Sequence, residues 1–72
     1  MTKFRRELGM RIYEARDKTG ATQRELGAAI HRSHHAISSW EQGRRGVDAE
    51  TLSRLSKALG VSVGWLVGEV RG

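Results

Sequence analysis

Residues 32 to 45 concentrate the side chains of this chain that could do chemistry, in the order RSHHAISSWEQGRR. The stretch holds two adjacent histidines, three serines, one tryptophan and three arginines. Imidazole and hydroxyl groups can bind a metal ion, transfer protons in catalysis, or form hydrogen bonds to another polymer. The rest of the sequence discriminates among these three kinds of site.

A metal site has little support. His31 and His35 lie four residues apart with His34 beside them, but they straddle a predicted turn and the start of a helix. They therefore do not share one helical face, and a zinc site needs three or four ligands, whereas the chain has no cysteine. We predict no metal and no cofactor.

Catalysis has less support still. No carboxylate is placed to orient a histidine, and no oxyanion hole is indicated. Five short helices also leave little room for a cleft of roughly a few hundred Å³. We predict that the protein is not an enzyme.

The charge of the chain favours a third kind of site. The formal net charge is +5, and residues 1–46 hold all of the excess, with ten Lys or Arg against five Asp or Glu. Residues 47–72 hold three of each. A one-sided basic surface on a small domain indicates a polyanionic partner, most often nucleic acid, although solubility alone is the alternative explanation.

Helical spacing dominates the sequence and predicts an all-α domain of five short helices. Candidate N-caps are Ser33, Asp48, Ser62 and Thr22, the last with Glu25 three residues later as in a capping box. The apolar stripes predicted for the first four helices are Phe4, Leu8, Ile12 and Ala15; Leu26, Ala29 and Ile30; Ala36, Ile37 and Trp40; and Leu52, Leu55, Ala58 and Leu59.

The third helix is predicted to present a polar face. If Ala36, Ile37 and Trp40 point inward, four hydrogen-bonding side chains turn toward solvent, namely His34, His35, Ser38 and Ser39. Such side chains can bond the edges of bases in a DNA groove. They also suit an ordinary solvated helix face, and the flanking arginines favour the first interpretation.

Three motifs come in order along the chain: Thr-Gln-x-Glu-Leu, Ile-Ser-x-Trp-Glu-x-Gly and Leu-Gly-Val-Ser-Val-x-Trp-Leu. They lie within ATQRELGAAIHRSHHAISSWEQGRR and DAETLSRLSKALGVSVGWLVG. Over roughly residues 4–68 the chain resembles the lambda-repressor-like (Cro/XRE-type) helix-turn-helix family. The resemblance implies a compact five-helix DNA-binding domain over residues 1–72, with the helix-turn-helix at about 22–41. From the sequence after Gly68 we expect a frayed end at 69–72.

The resemblance also implies roles for individual residues. The second helix of the motif would lie in the major groove of double-stranded DNA. The base-reading positions would be His34, His35 and Ser39, with Ser38 and Arg32 close by. Phosphate contacts would fall on Gln23, Gln42, Arg44 and Arg45. A buried ion pair would join Arg16 to Glu41.

One recognition helix contacts too few base pairs for a selective site, so we expect a homodimer on two half-sites. The resemblance places candidate dimer contacts at Trp65, Val67 and Val70, which could instead close the core. We expect a cytoplasmic, repressor-like transcriptional regulator, associated with the nucleoid when bound to DNA. It would have no membrane or small-molecule partner. The alternative is an antitoxin-like or other module whose main partner is a protein, and the chain could also be part of a larger repressor.

Two positions depart from the family pattern. His31 stands where the family usually has glycine in a left-handed turn, which strains the backbone by about 1 kcal/mol or more. Gly27 stands where the family prefers alanine, and it weakens the helix by about 1 kcal/mol. We expect His31 to accept the strain or the turn to be reshaped.

Overall fold

The protein is described by a computed structural model over residues 2–69. Within that range it has five helices: α1 (Lys3–Thr19), α2 (Gln23–Ile30), α3 (His34–Glu41), α4 (Ala49–Leu59) and α5 (Val63–Val67). The predicted all-α fold with five helices is confirmed. None of the helices in this range has the length and apolar character needed to span a bilayer.

Each helix begins at a side chain that accepts a backbone hydrogen bond. The N-cap side chain takes the N–H of the residue three positions on, and this satisfies one of the donors that a helix start leaves unpaired. At α2 the capping box is complete, because Glu25 Oε1 also accepts from the Thr22 N–H at 2.8 Å. The five caps are Thr2, Thr22, Ser33, Asp48 and Ser62.

One apolar core lies where α1, α4 and α5 meet the α2–α3 pair. Helix α1 packs on α3, α4 and α5, while α2 packs on α3 and α4. Val47, Leu52, Val61 and Trp65 pack around this core and stay partly exposed. The core residues are Leu8, Ile12, Ala15, Leu26, Ile30, Ala36, Ile37, Trp40, Leu55, Leu59 and Leu66.

Three residues predicted to be buried are exposed: Phe4, Ala29 and Ala58. The side chain of Phe4 is 54% accessible. Consecutive residues of an α-helix are about 100° apart, so Phe4 lies roughly 80° away from Ile12 around α1. Phe4 also lies in the first turn, at the end of the helix. The predictions for all three residues are wrong because each lies beside the buried arc of its helix.

A glycine forms a close contact between α1 and α3. A methyl group on Gly9 would lie 2.2 Å from the carbonyl oxygen of Trp40 and 2.7 Å from that of Glu41. Gly9 is therefore buried against the backbone at the end of α3. This contact fixes the distance between α1 and the polar helix of the predicted motif.

Candidate nucleic-acid interface

The turn between α2 and α3 is formed by residues 31–33, and His31 adopts the left-handed conformation that the family gives to glycine. Its φ is 59° and its ψ is 46°. The N–H of His31 bonds the Ala28 carbonyl at 3.4 Å, and that of Arg32 bonds the Gly27 carbonyl at 2.8 Å. This is a Schellman-type helix end, which usually has glycine at that position. His31 thus accepts the strain, and the turn is not reshaped.

The second departure, Gly27, lies against this turn. A methyl group on Gly27 would lie 2.4 Å from the Arg32 carbonyl oxygen. The alanine that the family prefers would not fit here without a shift of the backbone. Because Gly27 has no side chain, the backbone at Arg32 can pass close to α2, directly after the strained residue His31.

The outward face of α3 carries the four polar side chains that the sequence predicts. His35 is exposed, while His34, Ser38 and Ser39 are half-buried. The two imidazole rings lie 4.1 Å apart between centroids and are tilted by 35°. Arg32, just before α3, is exposed and donates to the His31 carbonyl at 3.1 Å. These donors and acceptors lie on α3 and on the turn directly before it.

His34 is the titratable group on this face with a shifted pKa. Partial removal from water lowers the pKa of His34 below its usual 6.5. The positive charge of Arg24, on the adjacent α2, and the neighbouring His35 lower the pKa of His34 further. The lowered pKa favours the uncharged ring, in which one nitrogen donates and the other accepts.

The loop after α3 is held to that helix by backbone hydrogen bonds. Gly43 has a φ of 73°, its N–H bonds the Trp40 carbonyl at 3.0 Å, and the N–H of Arg44 bonds the Ser39 carbonyl at 2.9 Å. Arg44 and Arg45 are exposed, as is Gln42, whose amide donates to Ser38 Oγ at 2.8 Å. These backbone hydrogen bonds fix the position of the loop at Arg44 relative to the polar face of α3.

An ion pair braces α1 against the end of α3. Arg16 Nε lies 2.6 Å from Glu41 Oε2, and Arg16 Nη2 lies 3.1 Å from Glu41 Oε1. The third nitrogen, Nη1, donates to the Ala21 carbonyl at 2.9 Å. The two side chains are only 14% and 6% exposed. The hydrogen bond from Arg16 to the Glu41 carboxylate raises the pKa of Arg16, which burial opposes.

Gln23, a predicted phosphate contact, bonds this ion pair. Its side-chain nitrogen donates to Glu41 Oε1 at 3.0 Å, and the residue is half-buried at the first position of α2. Its side chain therefore has a partner within the protein. The ion pair, Gln23 and the end of α3 form one connected network.

The amino-acid sequence that forms this arrangement matches the model of a known protein family. The model of the helix-turn-helix family HTH_3 matches residues 12–66, which is most of the chain. The chain belongs to this helix-turn-helix family. The resemblance inferred from its motifs is thereby confirmed.

Individual relatives of the helix-turn-helix chain are similar at about one third identity. It is 37% identical over 62 residues to the HTH-type transcriptional regulator ImmR of Bacillus subtilis strain 168, covering 86% of this chain and 49% of ImmR. This chain spans about half the length of the curated relatives that it matches.

Solved structures superpose closely on the helix-turn-helix chain. The clp gene regulator ClgR from Corynebacterium glutamicum superposes with a TM-score of 0.85 at 35% identity, covering 96% of this chain and 90% of ClgR. The P22 c2 repressor, crystallised with a synthetic operator, gives a TM-score of 0.83 at 36% identity, covering 88% of this chain and 96% of the repressor.

Sequence reasoning missed three arginines close to the predicted interface of this helix-turn-helix domain. Arg24, at the second position of α2, lies close enough to His34 to influence its titration. Arg5 and Arg6, on the first turn of α1, contact the loop after α3. Local sequence could have singled out Arg24, which follows Gln23 at the start of α2. Only the tertiary fold brings Arg5 and Arg6 to the loop.

Some of the residues predicted to form the dimer contact are partly buried within the domain itself. Trp65 and Val67 are half-buried, and Trp65 packs on the core. Val63, on the same short helix, is an exposed apolar residue. Val70 lies outside the described residues, as does most of the predicted frayed end at 69–72.

The expectation that these helices leave little room for a cleft of roughly a few hundred Å³ is wrong. An open groove of about 520 Å³ runs between α1 and the ends of α2 and α3. The groove lies between the exposed side of α1 and the network formed by Gln23 and Glu41. The histidines and serines of α3 do not line it; its lining residues are Met10, Tyr13, Glu14, Asp17, Gln23, Glu41 and Gln42.

Proposed function

We propose that the protein binds double-stranded DNA sequence-specifically through the major groove and acts as a repressor-like transcriptional regulator. The observation that carries the proposal is the polar face of α3, which is flanked by exposed arginines on a helix-turn-helix framework. The P22 c2 repressor, which shares this framework, has been crystallised with an operator. The major groove of B-DNA is about 12 Å wide and accommodates one α-helix.

The side chains on this surface divide into two groups. His34, His35, Ser39 and the adjacent Ser38 and Arg32 would contact base edges, because they lie on or beside the outward face of α3. Gln42, Arg44 and Arg45 would contact phosphates and set the register. Gln23 would join them through the N-terminal end of α2, where backbone N–H groups attract anions.

We propose that two copies bind together, because a single α3 spans only a few base pairs. The apolar surface that α5 leaves exposed at Val63, and in part at Trp65 and Val67, supports a contact there. An antitoxin-like module that binds a protein is the second candidate function. The apolar groove beside Met10 and Tyr13, whose side chains are exposed, is the observation that favours it.

The proposed function is tested by selection from random duplex DNA. Purified protein would be incubated with the pool at two salt concentrations, and the retained duplexes sequenced. Enrichment of a two-fold symmetric site, with affinity that falls steeply with salt, is the expected result. Salt-sensitive retention without an enriched sequence would contradict base recognition by α3. No retention at either concentration would refute DNA binding and favour a protein partner.

Two substitutions should separate base contacts from phosphate contacts. His35→Ala is expected to lower affinity for the selected duplex about tenfold and to leave affinity for a scrambled duplex unchanged, because only base contacts depend on sequence. Arg44→Gln is expected to weaken binding to both duplexes equally, by about eightfold for each bound copy at 0.1 M monovalent salt. Fluorescence anisotropy gives both constants. Equal losses on both duplexes for His35→Ala would contradict its assignment.

Binding to DNA is expected to strengthen as the pH falls below about 6.5. In the free protein the pKa of His34 is lowered, whereas nearby phosphates would favour its charged form in the complex. A pKa higher in the complex than in the free protein means that binding takes up a proton. Affinity then rises as pH falls from the pKa of the complex to that of the free protein.

The pH dependence is measured as the dissociation constant between about pH 7.5 and 5.5 at constant ionic strength. His34→Gln is the control, since it keeps a hydrogen-bonding side chain and removes this titration. The variant should show a shallower pH dependence than the wild-type protein. Identical profiles for the two proteins would show that His34 takes up no proton on binding.

A further inference from the structure

The first turn of α1 and the loop after α3 bring four arginines together. A methyl group on Gly43 would lie 3.0 Å from Arg6 Cα, and one on Gly46 would lie 3.2 Å from the Arg5 Nε and Nη2 atoms. Arg44 and Arg45 lie between these two glycines. We call Arg5, Arg6, Arg44 and Arg45 the arginine cluster. All four residues are exposed.

No member of the arginine cluster forms an ion pair in the described part of the protein. The ion pairs found among residues 2–69 involve Lys3, Arg11, Arg16, Lys18 and Arg54 as the cations, and none involves a member of the cluster. Four like charges on neighbouring parts of the surface repel one another. An anionic partner would remove this repulsion.

Arg5 and Arg6 lie at the N-terminal end of α1, where the helix itself adds partial positive charge to theirs. The first turn of α1 has no acidic residue, although a helix N-terminus carries partial positive charge. Lys3, also in this turn, is paired with Glu7 at 3.9 Å, whereas Arg5 and Arg6 are not paired. A bound anion would therefore stabilise this end of α1 further, beyond the cap that Thr2 already provides.

We propose that Arg5 and Arg6 extend the phosphate-binding surface of the loop, so that the arginine cluster holds the DNA backbone next to the segment contacted by α3. The inference rests on the proposed function and adds α1 to the interface. A guanidinium group can form two parallel hydrogen bonds to one phosphate. The backbone bond from Arg44 to Ser39 ties the loop to α3, so the cluster lies beside the helix that the proposed function places in the groove.

The proposal is tested by the salt dependence of binding. Dissociation constants of the wild type, Arg5→Gln, Arg6→Gln and the double variant would be measured from about 0.05 to 0.3 M KCl, on the selected and scrambled duplexes. Lys57→Gln, on α4 outside the cluster, loses the same charge as each single variant and is the matched control. Circular dichroism would verify that all variants are folded.

For each bound copy of the protein, each single variant is expected to make the slope of log K against log salt shallower by about 0.9 and to weaken binding about eightfold at 0.1 M. The double variant should lose roughly 60-fold per bound copy at the same salt, equally on both duplexes. If the slopes equal that of Lys57→Gln while Arg44→Gln still reduces the slope, the role of α1 is refuted and the proposed function stands. If the wild type binds neither duplex, both proposals are refuted.

Discussion

Replacement of Gly9 by alanine is expected to lower the thermal midpoint of unfolding by roughly 10 °C. The added methyl group would lie 2.2 Å from the Trp40 carbonyl oxygen, and that atom belongs to backbone that cannot rotate away. Overpacking of this kind costs about 3 kcal/mol, and the higher helix propensity of alanine offsets about 1 kcal/mol of it. The net loss of about 2 kcal/mol is a large part of the stability of so small a domain.

Thermal unfolding followed by circular dichroism measures this effect. Met10→Ala is the control, because Met10 is the next residue on α1 and its side chain is exposed. Its midpoint should change by no more than a few degrees. A Gly9→Ala variant as stable as the wild type would show that α1 and α3 can move apart at no cost. The role of Gly9 as the spacer between them would then be wrong.

Glu41→Gln is expected to lower the free energy of unfolding by about 3 kcal/mol. The substitution keeps the shape of the side chain but leaves the Arg16 guanidinium, which is 14% exposed, without its carboxylate. Arg16 carries its charge at all ordinary pH values, so it cannot avoid the cost by losing a proton. The loss should therefore persist across the whole pH range in which the wild type is folded.

Urea unfolding of a double-mutant cycle tests this interpretation. Arg16→Met combined with Glu41→Leu should recover most of the stability, because it removes both buried charges and adds apolar contact. The exposed pair of Lys18 and Glu14 has side chains that are 75% and 55% accessible, so Glu14→Gln should cost less than about 0.5 kcal/mol. A similar small cost for Glu41→Gln would mean that the pair contributes no more than a surface contact.

The sequence predicts much of the fold because its helix boundaries are set by local residues. Thr22, Ser33, Asp48 and Ser62 were all predicted as N-caps, and each one accepts the expected backbone bond. The errors concern which residues of a helix face inward. Ala58 fits a spacing of three or four from its apolar neighbours, yet it is exposed, while the polar Thr51 is buried with Leu55 and Leu59. Spacing defines a stripe, whereas the width of the buried arc depends on the neighbouring helices.

The candidate site was predictable where its residues follow one another along the chain. His34, His35, Ser38 and Ser39 share a face because α3 is regular, and Arg44 and Arg45 follow it directly. The contact between Arg16 and Glu41 was available only through the resemblance, since 25 residues separate them. Arg5 and Arg6 could not be found, because their proximity to the loop depends on how closely α1 packs on α3 at Gly9.

The five N-caps described above bear on how fast the chain folds. Each cap links residues only three positions apart, so a helix can begin before any distant part of the chain has arrived. Such local closure takes well under a microsecond in peptides, whereas pairing of distant segments is slow. Helical domains with mostly local contacts fold in microseconds to milliseconds. A newly made copy of this domain therefore exposes its apolar residues only briefly before they are buried.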